Sequence, residues 1–230
     1  RRSSQTRQPR IATLPVNHHQ PRYLGAQVVV GESHLHVAPP LQKWHSFFNN
    51  NNPIVIELGC GKGEYTIDLA KKNPDKNFIG IDIKGARFWR GAKTALENNL
   101  GNVAFVRTQI ELVDFIFDKG EVDEIWITFP DPQIKYKRTK HRMTNHAFLK
   151  KYDHILKKDG VINLKTDSEF MHGYTLGLLH GEGHEIVHAN HDVYKDYYSP
   201  DEVTGTQTFY EKKYLEKGKA ITYIKFKLNF

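Results

Sequence analysis

Short apolar runs, rich in β-branched and aromatic residues, recur along the chain and are separated by longer stretches with helical spacing. The runs predict strands over residues 53–58, 77–82, 103–107, 125–129, 160–166 and 221–228. The stretches between them predict helices over residues 64–72, 86–98, 111–117, 146–156 and 169–179. Strands that alternate with helices are typical of a sheet covered on both faces, so we expect an α/β fold with a doubly wound, mostly parallel sheet.

The first part of the chain does not follow this pattern. Residues 1 to about 35 are rich in Ser, Gln, Pro and Arg, with weak strand character at residues 28–30. We therefore expect a flexible basic arm over residues 1–35 and a single folded domain over residues 36–230.

Composition narrows the class of protein. Hydrophobic residues make up 39% of the 230, and no apolar run approaches the length of a membrane span, so we expect no membrane partner. The single cysteine excludes an intramolecular disulfide, and no apolar signal segment is visible. Both observations favour a cytoplasmic location.

Charge is distributed unevenly. The net charge is +7, yet residues 1–22 carry +5 and residues 132–143 carry another +5, which leaves −3 on the remainder. The second cluster, called here the basic strip, contains no acid and consists of Lys135, Lys137, Arg138, Lys140 and Arg142. Clustered cations on a mildly acidic body indicate a nucleic-acid partner, although a solubilising tail would explain the first cluster equally well.

The basic strip directly follows Phe129-Pro130-Asp131-Pro132. Proline cannot continue a strand ladder, so the fourth strand must stop there and leave Asp131 at its carboxyl end. Open α/β sheets bind their ligands at that edge. A fixed carboxylate beside a cationic strip suits a site that grips a polyanion while holding one group in place; the alternative is a solvated charged turn.

A glycine-rich loop, Gly59-Cys60-Gly61-Lys62-Gly63, joins the first predicted strand to its helix. Glycine lets the backbone turn sharply and lets a ligand lie against the main chain. The spacing differs from the G-x-G-x-x-G of dinucleotide-binding enzymes. Glu57 precedes the loop and suits a cationic amino group, whereas Asp82, at the end of the second strand, can accept hydrogen bonds from ribose hydroxyls. Cys60 is interpreted as a packing residue.

Together these features resemble the S-adenosylmethionine-dependent methyltransferases of class I, which have a seven-stranded sheet. The motif Pro-Asp-Pro-x-x-Lys narrows the resemblance to the bacterial single-chain type of the tRNA (guanine-N7)-methyltransferase family, over residues 53–228. Three further segments support it: Thr166-Asp167, His141-Arg142-Met143-Thr144 and Thr208-Phe209-Tyr210-Glu211.

The resemblance implies S-adenosylmethionine as the cofactor and N7 of guanosine 46 in the tRNA variable loop as the methyl acceptor. It places Glu57, Gly59, Gly61, Gly63 and Asp82 at the cofactor. Gln109 stands where the family usually has an Asp at the adenine, and Gln133 where it prefers Trp. Lys135, Asp167, Thr208 and Glu211 are implied to contact guanosine and tRNA. No obligatory protein partner is expected, so the protein is expected to be a monomer or a homodimer.

Asp131 is assigned to catalysis as an orienting and electrostatic group. Guanine N7 carries a lone pair and no proton, so its methylation needs no general base. It does need an in-line approach to the sulfonium methyl group, and a fixed carboxylate near the base would stabilise the positive charge that develops there.

Other functions stay open at this level. They are a nicotinamide-dependent oxidoreductase, a non-catalytic RNA-binding protein on the same scaffold, a methyltransferase of another RNA site, and an amino-group methyltransferase, which normally carries a different strand-end motif. A metal site at His180, His184 and His188 is disfavoured because no Cys or acid pattern completes a ligand set.

Overall fold

The computed structural model describes residues 12–13, 27–30 and 43–230. A single sheet organises these residues, and nine strands contribute to it. The strands are β1 (Ala12–Thr13), β2 (Gln27–Val30), β3 (Ile54–Leu58), β4 (Asn77–Asp82), β5 (Val103–Arg107), β6 (Val122–Thr128), β7 (Leu156–Thr166), β8 (Glu185–Asn190) and β9 (Thr222–Lys227).

The order of the strands across the sheet is β1-β2-β5-β4-β3-β6-β7-β9-β8. The five central strands, from β5 to β7, run parallel, whereas β9 is antiparallel to both β7 and β8. The predicted seven-stranded, mostly parallel sheet is confirmed by strands β3 to β9. Antiparallel β2 extends it beyond β5, with β1 outside β2.

The helices cover both faces of the sheet. They are α1 (Trp44–Phe48), α2 (Glu64–Lys72), α3 (Gly85–Glu97), α4 (Val113–Ile116), α5 (His146–Ile155), α6 (Glu169–Glu182), α7 (Asp201–Thr204) and α8 (Phe209–Glu216). Two 3₁₀ turns, Ile110–Leu112 and Tyr136–His141, complete the helical elements.

Two hydrophobic clusters lie on opposite faces of the sheet, because side chains alternate along each strand. Ile54 and Ile56 of β3 belong to the cluster that contains residues from α5 and α6, and Val55 belongs to the one under α2 and α3. Trp126 and Phe105 are buried in the second cluster. Because the central strands are buried on both faces, ligands can reach them only at their ends.

Sequence patterns predicted α2, β4 and β5 with the bounds observed. They missed α1, α7, α8 and β8, and they began β7 four residues late. The strand character predicted at residues 28–30 is confirmed by β2. The rest of the predicted arm and the domain boundary near residue 35 lie outside the described residues.

No helix within the described residues is long and apolar enough to cross a membrane.

Candidate active site

Five of the predicted site residues meet at the carboxyl edge of the parallel strands. Glu57 lies near the end of β3 and Asp82 ends β4, whereas Gln109, Asp131 and Asp167 follow β5, β6 and β7. Neighbouring parallel strands end side by side, so the register brings these side chains to one edge. The sheet therefore assembles the candidate site from five different strands.

Glu57 is 5% exposed and already hydrogen-bonded on both carboxylate oxygens. Its Oε2 accepts from the Thr66 amide at 2.9 Å and from the Thr66 hydroxyl, and its Oε1 accepts from the Thr128 hydroxyl at 2.6 Å. Burial nevertheless raises the pKa of the Glu57 carboxyl from 4.5 to about 7, and the nearby charge of Asp82 adds to this effect. A buried carboxylate of this kind would be stabilised by a cationic ligand group.

Asp82 is fixed by two backbone donors. The Gly61 amide donates to its Oδ2 at 3.0 Å and the Lys84 amide donates to its Oδ1 at 2.7 Å. The turn before Gly61 is tied to the same strand, because the Gly59 and Cys60 amides both donate to the Ile81 carbonyl. The glycine-rich loop and the end of β4 therefore form one rigid unit.

The three glycines of this loop all have positive φ angles, but their surroundings differ. Gly59 (φ +76°) and Gly61 (φ +54°) have no atom within 4 Å of the place where a Cβ would stand. At Gly63 (φ +73°) a Cβ would lie 2.5 Å from the Phe105 ring. Gly63 is thus required for packing between the loop and the sheet, whereas Gly59 and Gly61 leave open space against the bare backbone.

Cys60 is buried within the loop, and burial raises the pKa of its thiol well above the usual value, with Glu57 and Asp82 adding to the effect. A protonated, buried thiol is a poor nucleophile, which agrees with its interpretation as a packing residue.

Gln109 lies exposed at the start of the 3₁₀ turn after β5. Its side chain is therefore accessible to a ligand at the carboxyl edge.

The segment after β6 is a strained turn. Phe129 (φ +49°) and Gln133 (φ +47°) both adopt the left-handed conformation that disfavours side chains larger than glycine. The Phe129 amide donates to the Lys165 carbonyl at 2.8 Å, and the Gln133 amide donates to Asp131 Oδ1 at 3.1 Å. Asp131 itself is exposed. A shallow pocket of about 400 Å³ opens here, lined by Asp131, Pro132, Gln133, Ile134, Lys135 and Arg138.

The structure corrects the prediction that Arg142 belongs to an exposed basic strip. It is only 6% exposed, so it is not a free surface cation. Its guanidinium donates to the carbonyls of Gln133 and Ile134, each at 3.2 Å, and lies 4.8 Å and 4.4 Å from the ring centres of Phe170 and Tyr174. Arg142 therefore stabilises the strained turn through its backbone carbonyls. The exposed part of the basic strip consists of Lys135, Lys137, Arg138 and Lys140.

Thr208 and Glu211 form a capping box at the start of α8. The Glu211 amide donates to the Thr208 hydroxyl at 3.2 Å, and the Thr208 amide donates to Glu211 Oε2 at 3.4 Å. Glu211 has no exposed surface, and its Oε1 lies 2.7 Å from Lys165 Nζ and accepts from the Tyr194 hydroxyl at 2.6 Å. Both residues therefore have a structural role in addition to the substrate contact predicted for them.

Lys165 is a residue of the site that the sequence analysis did not predict. It lies in β7 with no exposed surface, and it donates to the carbonyls of Val203 and Thr206 as well as pairing with Glu211. Burial lowers its pKa, and the charge of Glu211 opposes that effect. The sequence did carry a signal for it, namely a lysine inside an apolar strand. Charged residues are rarely buried without a partner, so such a lysine indicates a buried ion pair.

Residues 201–211 fold back over the glycine-rich loop. The Tyr65 hydroxyl donates to the Glu202 carbonyl at 2.7 Å, and the Phe209 amide donates to a carboxylate oxygen of Glu64 at 2.9 Å. Lys62 Nζ lies 4.1 Å from the centre of the Phe209 ring. Asp167 lies at the same edge of the sheet, and its carboxylate pairs with Lys219 at 2.8 Å.

The three spaced histidines do not converge. His184 bonds to Glu182 and to the backbone of Asn229. Within the described part of the chain, no group of three or more His, Cys, Asp or Glu side chains is arranged to hold a metal ion.

The donor set at the glycine-rich loop fits one kind of ligand. Glu57 offers a buried negative charge, Asp82 offers a fixed carboxylate, and Gly59 and Gly61 leave space for direct contact with the backbone. A cationic amino group and ribose hydroxyls match these features better than a pyrophosphate does.

Comparisons with known proteins agree with this chemistry. The family described as "Putative methyltransferase" matches residues 51–224. The chain is 74% identical over 187 residues to the tRNA (guanine-N(7)-)-methyltransferase of Christiangramia forsetii, and the match covers 81% of this chain and 84% of that protein. It is 51% identical over 187 residues to the protein of the same name from Porphyromonas gingivalis, covering 81% and 76% of the two chains.

Solved structures resemble the fold at much lower identity. A 16S rRNA methyltransferase superposes with a TM-score of 0.64 at 11% identity, covering 87% of this chain and 98% of the other. An antibiotic-related methyltransferase gives a TM-score of 0.60 at 19% identity, covering 82% and 93%. The predicted class I methyltransferase fold is thereby confirmed.

Proposed function

Since the chain belongs to the tRNA (guanine-N(7)-)-methyltransferase family, we propose that its carboxyl-edge site methylates N7 of a guanosine in tRNA, at position 46 of the variable loop. The protein is an S-adenosylmethionine-dependent methyltransferase, so the oxidoreductase and non-catalytic alternatives fall away. One observation carries the proposal: several features lie together at one edge of the sheet. They are the fixed carboxylates of Glu57 and Asp82, the open turn at Gly59 and Gly61, and the rigid turn of Asp131 beside exposed cations.

The cofactor is assigned to the side of β3, β4 and β5. When bound, S-adenosylmethionine supplies a methyl group on a positively charged sulfur. Glu57 holds the amino group, Asp82 accepts from the ribose hydroxyls, and Gly59 and Gly61 contact the ligand through their backbone. Gly63 keeps the loop packed against β5, and Gln109 hydrogen-bonds the adenine.

Asp131 acts on the guanosine. The strained turn fixes its carboxylate, and because N7 has no proton to lose, Asp131 need not act as a base. A negative charge at this place stabilises the positive charge that spreads over the guanine ring as the methyl group arrives. Its second carboxylate oxygen can also accept hydrogen bonds from the base and so orient it.

The tRNA is assigned to the side of β6, β7 and α8. Lys135, which lines the pocket beside Asp131, contacts the RNA near the reacting nucleotide. Asp167 and Thr208 contact the guanosine from β7 and α8. Glu211, being fully buried, serves the substrate by holding the start of α8 in place. We further propose a cytoplasmic enzyme that acts as a monomer or a homodimer.

The direct test is to incubate the protein with labelled S-adenosylmethionine and unmodified tRNA, and then to cleave the RNA at N7-methylguanosine. We expect label in tRNA and one cleavage site in the variable loop. Label on another base, or on proteins only, would overturn the proposal.

Asp131→Asn tests the electrostatic role within that assay. It keeps the shape of the side chain but removes its charge, and the loss of one such group typically costs about 3–4 kcal/mol, or roughly 100- to 1000-fold in turnover. S-adenosylmethionine affinity should change less than tenfold. Asp153→Asn, an exposed carboxylate near the end of α5, is the control and should behave as wild type. Near-normal turnover of Asp131→Asn would remove the electrostatic role.

A further inference from the structure

Tyr136 is a large aromatic side chain displayed to solvent on an ordered turn. Its side chain is 92% exposed, and among the described residues no aromatic or cationic group is found against its ring. The ring stands at the start of the 3₁₀ turn Tyr136–His141, directly beside the pocket that Asp131 and Lys135 line. A ring in this position contributes nothing to the hydrophobic core.

The backbone beneath this ring is held firmly. Arg142 bonds the carbonyls of Gln133 and Ile134, the Thr139 hydroxyl donates to the Tyr136 carbonyl at 2.7 Å, and the Arg138 amide donates to the Lys135 carbonyl at 2.8 Å. Only the two side-chain torsions of Tyr136 remain to be fixed when a partner stacks on it. The entropic cost of contact is therefore small.

Charge distinguishes Tyr136 from the other highly exposed tyrosines. Tyr197 and Tyr198 are 94% and 80% exposed, but residues 191–202 around them carry four acids and one lysine. Residues 132–143 around Tyr136 carry four exposed cations, the buried Arg142 and no acid. A polyanion is attracted to the basic surface around Tyr136 and repelled from the acidic surface around Tyr197 and Tyr198. Of these three exposed tyrosines, Tyr136 is therefore the one that combines a free ring with a phosphate-binding neighbourhood.

We propose that Tyr136 is a stacking residue for an unpaired tRNA base next to the methylated guanosine, and that it contributes to tRNA affinity rather than to the methyl transfer step. This inference rests on the proposed function, because it takes tRNA as the partner. The exposed cations hold the phosphates on either side while the ring covers the face of one base. Stacking of this kind tolerates any base, because every base has an aromatic face.

Steady-state kinetics with three variants tests the inference. Tyr136→Ser removes the ring and should raise the KM for tRNA at least about fivefold, which corresponds to the lower limit of about 1 kcal/mol for stacking on one base. Tyr136→Phe keeps the ring and should stay within about twofold of wild type. Tyr197→Ser removes an equally exposed ring from the acidic surface and should change nothing. In all three, kcat and S-adenosylmethionine affinity should be unchanged.

Salt dependence separates stacking from charge. Tyr136→Ser should leave the slope of log KM against log salt as it is in wild type, whereas Lys137→Ala should reduce that slope by about one, because one phosphate contact is lost. As a second readout, 2-aminopurine is placed beside the target guanosine in a tRNA transcript. Its fluorescence should be quenched on binding to wild type and Tyr136→Phe, but not on binding to Tyr136→Ser.

The inference is overturned if Tyr136→Ser matches Tyr197→Ser in KM, if Tyr136→Phe is as weak as Tyr136→Ser, or if quenching persists without the ring. These outcomes differ from failure of the proposed function, which would appear as a wild-type protein that does not methylate tRNA. The fluorescence measurement reports binding alone, so it tests Tyr136 even in that case.

Discussion

At the scale of single residues, the glycine-rich loop offers a matched pair. Gly61 and Gly63 share a left-handed backbone, so an alanine is strained at either position by roughly 1–2 kcal/mol. Gly61→Ala meets open space, so the protein should still fold while binding S-adenosylmethionine about tenfold more weakly or worse, a loss of about 1.4 kcal/mol. Gly63→Ala drives a methyl group into the Phe105 ring and should add about 1–3 kcal/mol of overpacking. Thermal unfolding and calorimetry on both variants check this; equal Tm values would show that the loop can move away from β5.

Glu57 provides a prediction about pH. The pKa of the Glu57 carboxyl is raised from its usual 4.5 to about 7 in the folded protein. Folding therefore favours the neutral carboxyl, and the free energy of unfolding falls as the pH rises from 4.5 through 7. Glu57→Gln cannot ionise and should be more stable than wild type at pH 8, by up to about 3 kcal/mol. The difference should largely vanish at pH 4.5. Urea unfolding of the ligand-free proteins at the two pH values measures it.

The same variant should bind S-adenosylmethionine more weakly, by roughly 1–3 kcal/mol, because a charged partner of its amino group is lost. Stabilisation without loss of affinity would mean that Glu57 shapes the loop and does not contact the cofactor.

At the scale of elements, Lys165 and Glu211 link β7 to α8 through a fully buried ion pair. Lys165→Met leaves Glu211 buried without its partner and should lower the free energy of unfolding by about 3–5 kcal/mol. Lys219→Met, which removes the half-exposed partner of Asp167, is the matched control and should cost only about 0.2–1 kcal/mol. A double-mutant cycle of Lys165→Met with Glu211→Gln should show a coupling of at least about 1 kcal/mol. Additive effects would contradict the link.

The elements best predicted from sequence were those with a strong local signal. Helix α2 and strands β4 and β5 are apolar or amphipathic in a way that their burial explains, and Pro130 marks the end of β6. Strand β8 was missed because it lies at the sheet edge with most of its residues exposed, so it shows no clear apolar alternation. Helix α8 was also missed, although Thr208 and Glu211 carry the spacing of a capping box.

The location of candidate-site residues was predictable where it follows from position at a strand end. Glu57, Asp82 and Asp131 could be chosen because the carboxyl edge of a parallel sheet is fixed by chain direction. The partners of Glu211 could not be chosen, since Lys165 is 46 positions away and the contact depends on how residues 201–211 fold back. Arg142 was misplaced on the surface for the same reason: its ring partners belong to α6.

At the scale of the whole molecule, two basic regions can be ranked by experiment. Deleting residues 1–10 removes four arginines, and we expect a modest, salt-dependent rise in the KM for tRNA with kcat retained. Lys135→Ala should raise the KM and also lower kcat, because Lys135 lines the pocket beside Asp131 and its loss misplaces the nucleotide. Steady-state kinetics across a salt series checks both. If the deletion reduced kcat and Lys135→Ala did not, the substrate contacts assigned to the pocket would be wrong.

The strand order has a consequence for how the enzyme is made. Strand β9 is the last strand of the sheet to be synthesised, yet it lies between β7 and β8. At about 5–20 residues per second, the ribosome completes β8 about 2–7 s before it completes β9, the strand that must pair with it. During that interval β7 has an open edge, and β8 lacks the strand with which it pairs. The nascent protein is therefore most exposed to aggregation and to chaperones at this late stage of synthesis.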